Sequence, residues 1–132
     1  MDTILYGDRF GEIVDRPDAQ LIELRWFDTT AELSKADFQR WLTEFAARVR
    51  ATRRARVLID STVFRMSRDN MDAAWRDANI IPVYNSAGVA RFAFHMPAGV
   101  PMIGAAPARE GPGTFPTAYF GTRNDALAWL ES

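Results

Sequence analysis

Asp60, Ser61 and Thr62 place a carboxylate and two hydroxyls in succession, and they follow directly on the apolar run Val57-Leu58-Ile59. In an α/β domain such a run reads as a central strand, and the turn at its carboxyl end is where sites are usually built. A hydroxyl there can take up a phosphoryl group. A phosphate adds about −1.5 to −2 charge, and set beside Asp60 it would expel a docked partner by repulsion and desolvation. The same three side chains also suit a plainer role, bonding the backbone and capping the turn into the next helix.

Two other groupings carry chemistry in principle. Arg48, Arg50, Arg53, Arg54 and Arg56 form a cationic cluster after a helical stretch. Cations there complement the helix dipole. The same charges would make a phosphate-binding patch, although no aromatics interleave them to stack bases. His95, the only histidine, could join Asp60 and Ser61 as a hydrolase triad, since triads are recognised by geometry rather than chain order. Ser61 lacks the Gly-x-Ser-x-Gly elbow, however, and no Gly-rich nucleotide motif is present. With one histidine and no cysteine, neither a metal site nor a disulfide is expected, and no cofactor is implied.

The elements around these residues follow from periodicity. Residues 3–6 and 10–15 read as hairpin or edge strands, and Arg16-Pro17-Asp18 as a turn. In residues 19–27, Ile22, Leu24 and Trp26 alternate with Glu23 and Arg25, the pattern of a strand with one buried face. Ser34 begins a helix whose stripe is Phe38, Trp41, Leu42, Phe45, Ala46 and Val49. Ser67 is expected to cap a second helix, with Asp69 in its first turn and Met71, Ala74, Trp75 and Ala78 facing inward. Pro82 should stop or bend it, leaving residues 85–88 as loop. A strand over 89–96 alternates Phe92, Phe94 and Met96 with Arg91, Ala93 and His95. Residues 97–116, rich in Gly and Pro, read as a long loop. A short strand at 117–120 precedes a helix capped at Thr122 that packs Ala126, Trp129 and Leu130. The order predicts one α/β domain over residues 1–132, with a mixed sheet of about five to six strands and about three to four helices mainly on one face.

A net charge of −1 offers no basic field for nucleic acid. No apolar run reaches the roughly 18 residues of a membrane helix, and the amino terminus lacks a signal-peptide pattern. A soluble cytoplasmic protein, without membrane insertion, is expected.

Four patterns in this order resemble the SpoIIAA-like group of the STAS superfamily (sulfate transporter and anti-sigma factor antagonist). They are Leu21-Ile22-Glu23-Leu24-Arg25-Trp26, Val57-Leu58-Ile59-Asp60-Ser61-Thr62, Ala90-Arg91-Phe92-Ala93-Phe94, and Tyr119-Phe120 with Ala126-Leu127-Ala128-Trp129-Leu130. The resemblance implies a non-enzymatic regulatory or protein-interaction module. In the anti-sigma antagonist branch the corresponding strand ends in an Asp-Ser-Ser-Gly type motif, whose second hydroxyl residue is phosphorylated to turn binding off. Thr62 takes that place here, and Val63 stands where the motif has glycine. A β-branched residue does not readily adopt positive φ, so the turn is expected to differ.

Two readings follow. In the first, Thr62 (or Ser61) with Asp60 forms a phospho-switch, and Arg65, Arg68 and Asp69 belong to a face that docks a protein partner or a second copy, a homodimer being plausible. In the second, a small apolar or lipid-like ligand occupies a pocket lidded by Met102 and Ile103 of the 97–116 loop, with CRAL-TRIO lipid-transfer domains as a fold-level analogy.

Overall fold

One mixed sheet runs through the computed structural model, which describes residues 1–67, 70–97 and 107–132. Its strands among the described residues are β1 (Thr3–Gly7), β2 (Gly11–Arg16), β3 (Leu21–Trp26), β4 (Arg56–Asp60), β5 (Arg91–His95), β6 (Ala108–Arg109) and β7 (Pro116–Phe120). The α-helices among the described residues are α1 (Lys35–Thr52), α2 (Ala73–Asn79), α3 (Ile81–Ala87) and α4 (Arg123–Glu131). The sheet order is β1-β2-β3-β4-β5-β7-β6. β1, β2 and β3 form an antiparallel meander; β3, β4, β5 and β7 are parallel; β6 returns antiparallel on the far edge. Parallel neighbours need a crossover. α1 carries the chain from β3 to β4, and α2 with α3 lies between β4 and β5. The Asp60 turn therefore leaves the middle of the sheet.

α1 forms where the apolar stripe predicts it. Ser34 Oγ accepts the Asp37 N–H at 3.1 Å, and Phe38, Trp41, Leu42, Phe45, Ala46 and Val49 are all buried. They pack on Ile22, Leu24, Trp26, Val57, Ile59 and Phe92, together with Ile81, Tyr84 and Ala87 of α3. Trp41 is fully enclosed, and its indole N–H donates to Asp8 Oδ2 at 3.1 Å, so its polar atom is not orphaned. The opposite face of the sheet packs Leu21, Leu58 and Ala93 against Ala126 and Leu130 of α4. Among the described residues the helices thus lie mainly on one face, with α4 alone on the other.

Several local expectations need correction. Glu23 is not on a solvated face: α4 covers it, and it is 0% exposed. α2 is capped by Asp72, whose Oδ1 accepts the Trp75 N–H at 3.0 Å, rather than by Ser67. Asp69 lies outside the described residues. Only Met71 and Trp75 of the expected inward face pack on the core, while Ala74 and Ala78 are exposed. Residues 85–87 are helical, not loop, because Pro82 sits in the first turn of α3, where its missing N–H costs nothing. Gly88, at φ 86°, ends that helix in the left-handed conformation that glycine tolerates. The 97–116 stretch contains β6, and Phe115 within it is buried. Among the described residues no helix is long and apolar enough to cross a membrane.

Candidate functional site

β4 pairs with β3 on one side and β5 on the other, and its register sets Asp60 beside Arg25 and His95. The alternation of the strands puts these three on the α4 face, one row beyond Glu23, Leu58 and Ala93. The chain then turns sharply. Ser61 N–H donates to the His95 carbonyl at 2.9 Å, extending the ladder by one bond. Thr62 donates twice to the same Asp60 Oδ1, from its backbone N–H at 3.1 Å and from its hydroxyl at 2.7 Å. Phe64 N–H closes the turn on the Ser61 carbonyl at 3.2 Å. Asp60 and Thr62 do carry out the local capping expected of them.

Two further residues fasten the turn to the body of the protein. Thr30, fully buried, accepts the Arg65 N–H on Oγ1 at 2.8 Å while its own hydroxyl donates to the Phe27 carbonyl at 3.1 Å. The Phe64 ring packs on Trp26 and Phe38, with centroids 5.2 Å and 6.1 Å apart. Neither role had a signal in the sequence. Thr30 belongs to a short 3-10 turn without apolar periodicity, and Phe64 followed a motif rather than a pattern.

Val63 fits without strain. Among the described residues the non-glycine positions with positive φ are Gln20 and Arg53, so Val63 is not in the left-handed region. The turn therefore has no conformational need for the glycine that the antagonist motif carries. Accessibility separates the two hydroxyls: Ser61 is buried, at 8% exposure, whereas Thr62 is half-buried and Val63, 38% exposed, stands at the tip. Arg65 is exposed beside them. Arg68 and Asp69 lie outside the described residues, as do Met102 and Ile103, so the structure places neither the rest of the expected docking face nor the expected lid.

The hydrolase arrangement is not assembled. Asp60 Oδ1 is engaged by Thr62, and His95 Nδ1 is buried with no hydrogen-bond partner among the described residues. No hydrogen bond joins the side chains of Asp60, Ser61 and His95. Among the described residues no group of three His, Cys, Asp or Glu could hold a metal ion.

Behind this row lies a charge network that period-two reading placed on the wrong side. Glu23 accepts from Arg123 through both oxygens, at 2.7 and 2.8 Å, from Arg16 at 3.0 Å and from Arg25 at 3.1 Å. Burial pushes the Glu23 carboxyl up, but the bonds and charges of Arg123 and then Arg25 outweigh it and hold the pKa at about 2. Arg123 is held protonated first by its bonds to Glu23, with Asp60 adding a smaller attraction. The amino end of α4 is thus fixed beside the Asp60 turn.

The order and faces of these elements define a mixed α/β domain consistent with the SpoIIAA-like, STAS-type fold, with a turn at the end of its central parallel strand. A family model described as SpoIIAA-like matches residues 21–131, and the chain belongs to that family, whose members are regulatory or protein-interaction domains of the STAS type. No curated protein and no solved structure gives a significant match to the chain.

Proposed function

We propose that this chain is a non-enzymatic protein-interaction module whose docking face is the turn 60–66, and that phosphorylation of Thr62 switches binding off. One observation carries the reading: Thr62 is a half-buried residue at the carboxyl end of the central strand, and its hydroxyl is bonded to the Asp60 carboxylate at 2.7 Å. Burial of Ser61 favours Thr62 over its neighbour as the acceptor. Exposed Val63 and Arg65 flank Thr62 and supply an apolar tip and a cation for a partner to cover.

The switch follows from charge. A kinase would move the γ-phosphoryl group of a nucleoside triphosphate to Thr62 Oγ1: the new P–O ester bond forms as the P–O bond to the β-phosphate breaks, the nucleoside diphosphate leaves, and the hydroxyl proton passes to a base of the kinase. The hydroxyl donor to Asp60 is then gone, leaving the backbone N–H of Thr62, and about −1.5 to −2 charge faces the carboxylate at hydrogen-bond range. The turn must open or draw in a cation, and either change spoils a surface fitted to the unmodified form. Native mass spectrometry of protein purified from its own host tests the reading. Phosphate mapped to Thr62, with any co-purifying protein present only on unmodified chains, is the expected result. Modification confined to other residues, or partner bound equally to both forms, would overturn it.

A further inference from the structure

At the opposite end of the sheet, Arg56 and Arg91 are register partners on adjacent parallel strands. Both project on the α4 face, since Leu58 and Ala93, two residues further along each strand, pack on α4. Like charges directly beside each other in a sheet repel, and arginine cannot relieve the repulsion by losing its proton. The usual remedy is a carboxylate, and the neighbouring Arg54 has one: Asp15 receives it in two bonds of 2.7 and 3.0 Å. Arg48 likewise meets Glu44 at 2.9 Å.

Arg56 and Arg91 have no such partner among the described residues. Neutral acceptors hold them instead. Arg56 Nη1 donates to the Ala19 carbonyl at 2.8 Å. Arg91 Nη1 donates to the Trp129 carbonyl and the Ser132 hydroxyl, and its guanidinium lies 5.3 Å from the Trp129 ring centre. Glu131, next to Ser132, is exposed and forms no ion pair among the described residues. These bonds fix both guanidinium groups in place while cancelling little of their charge. Beside them opens a pocket of about 220 Å³ whose lining includes Gln20, Arg56, Arg91 and Ser132, with Ala55, Ala90 and Leu130 as its apolar part. The small side chains of Ala55 and Ala90 leave it accessible.

From this geometry we infer that the pocket is a binding site for a phosphate group, presented by a small phosphorylated molecule or by a lipid headgroup. Two fixed guanidinium forks suit a compact oxyanion, because each fork has N–H donors beyond the one already used, while the Ser132 hydroxyl, which donates to the Trp129 carbonyl at 2.7 Å, only helps to hold Arg91. The site is independent of the Thr62 switch: it lies at the other end of β4 and shares no residue with it. The arginine cluster seen in the sequence is thereby divided. Arg48 and Arg54 are neutralised by carboxylates, and Arg56 works with an arginine from a different strand.

Titration with inorganic phosphate at constant ionic strength, followed through the backbone amide shifts of residues 55, 56, 90 and 91, tests the assignment. Holding ionic strength constant removes general screening from the response. The expected result is a saturable shift with a Kd of about 1 mM or tighter, weakened about tenfold or more by Arg91→Gln or Arg56→Gln. Because Arg91 also holds the end of α4, Ala90→Glu serves as the second variant. It places a carboxylate at the rim from an exposed position and leaves the bonds of both arginines intact, and it should abolish the shift. Vesicles containing phosphatidic acid form a parallel arm. Binding to them that Ala90→Glu removes would identify the phosphate as a lipid headgroup, and phosphate binding without vesicle binding would identify a soluble ligand. A linear, non-saturating response, or equal binding by Ala90→Glu and the parent chain, would overturn the inference.

Discussion

Arg123 and Glu23 stand 100 positions apart in the chain and meet in a two-bond pair, Nη1 to Oε2 at 2.7 Å and Nη2 to Oε1 at 2.8 Å. The pair ties α4, near the end of the chain, to the third strand, and it does so under a helix that excludes water from the carboxylate.

This pair sets an acid limit on stability. The Glu23 pKa falls from 4.5 to about 2 on folding. A carboxyl with a depressed folded pKa contributes stability that is fully present above its unfolded value and is lost as pH falls through the folded one. The loss should therefore run between about pH 4.5 and pH 2 and amount to roughly 3 kcal/mol. Glu23→Gln should cost a similar amount at neutral pH, because three arginines lose their shared anion. Urea unfolding of both chains across that pH range checks this, and the variant should show a flatter acid limb.

Val63→Gly tests the geometry of the turn. Valine is not in the left-handed region there, so glycine offers no relief and adds unfolded-state freedom. A loss of about 0.5–1 kcal/mol in chemical denaturation is expected. A gain in stability would mean that the valine strains the turn.

Arg53 is the converse case. It ends α1 at φ 53°, its N–H bonded to the Val49 carbonyl at 2.9 Å, in the conformation glycine usually supplies. Arg53→Gly should raise stability by about 0.5–1 kcal/mol, a Tm increase of about 2–4 °C. Arg50→Gly, one turn earlier and still helical, should lower it by about 1 kcal/mol.

Legibility in the sequence tracked the physics of burial. α1 was readable because Phe38, Trp41, Leu42, Phe45, Ala46 and Val49 repeat at helical spacing on one face. β4 was readable because both of its faces are covered, which makes a short continuous apolar run. Glu23 was misplaced because alternation reports two faces but not what covers the second. Arg123, which compensates its burial, is too remote for any local pattern to connect them. The α2 cap moved from Ser67 to Asp72 because both are good caps and only tertiary packing chooses between them. At the candidate site, Asp60 and Thr62 were legible as adjacent polar residues ending a strand. Thr30 was not, since it reaches the turn from 35 positions away. Arg91 was recognised as a strand residue, but its pairing with Arg56 depends on register, which composition does not encode.

Thr62→Val separates the two roles of the Thr62 hydroxyl. It removes the 2.7 Å bond to Asp60 without adding charge, so it should cost about 1 kcal/mol of stability and leave partner binding within about twofold of the parent. Thermal unfolding beside a binding titration checks both halves.

The most direct test of the docking account compares partner affinity for the parent chain, Thr62→Val and Thr62→Glu, using a protein that co-purifies with the unmodified chain. The account predicts that Thr62→Glu weakens binding about tenfold or more, because it sets a second carboxylate against Asp60, while Thr62→Val binds nearly as the parent does. Equal affinity for all three would contradict it and would remove the 60–66 turn from the docking surface.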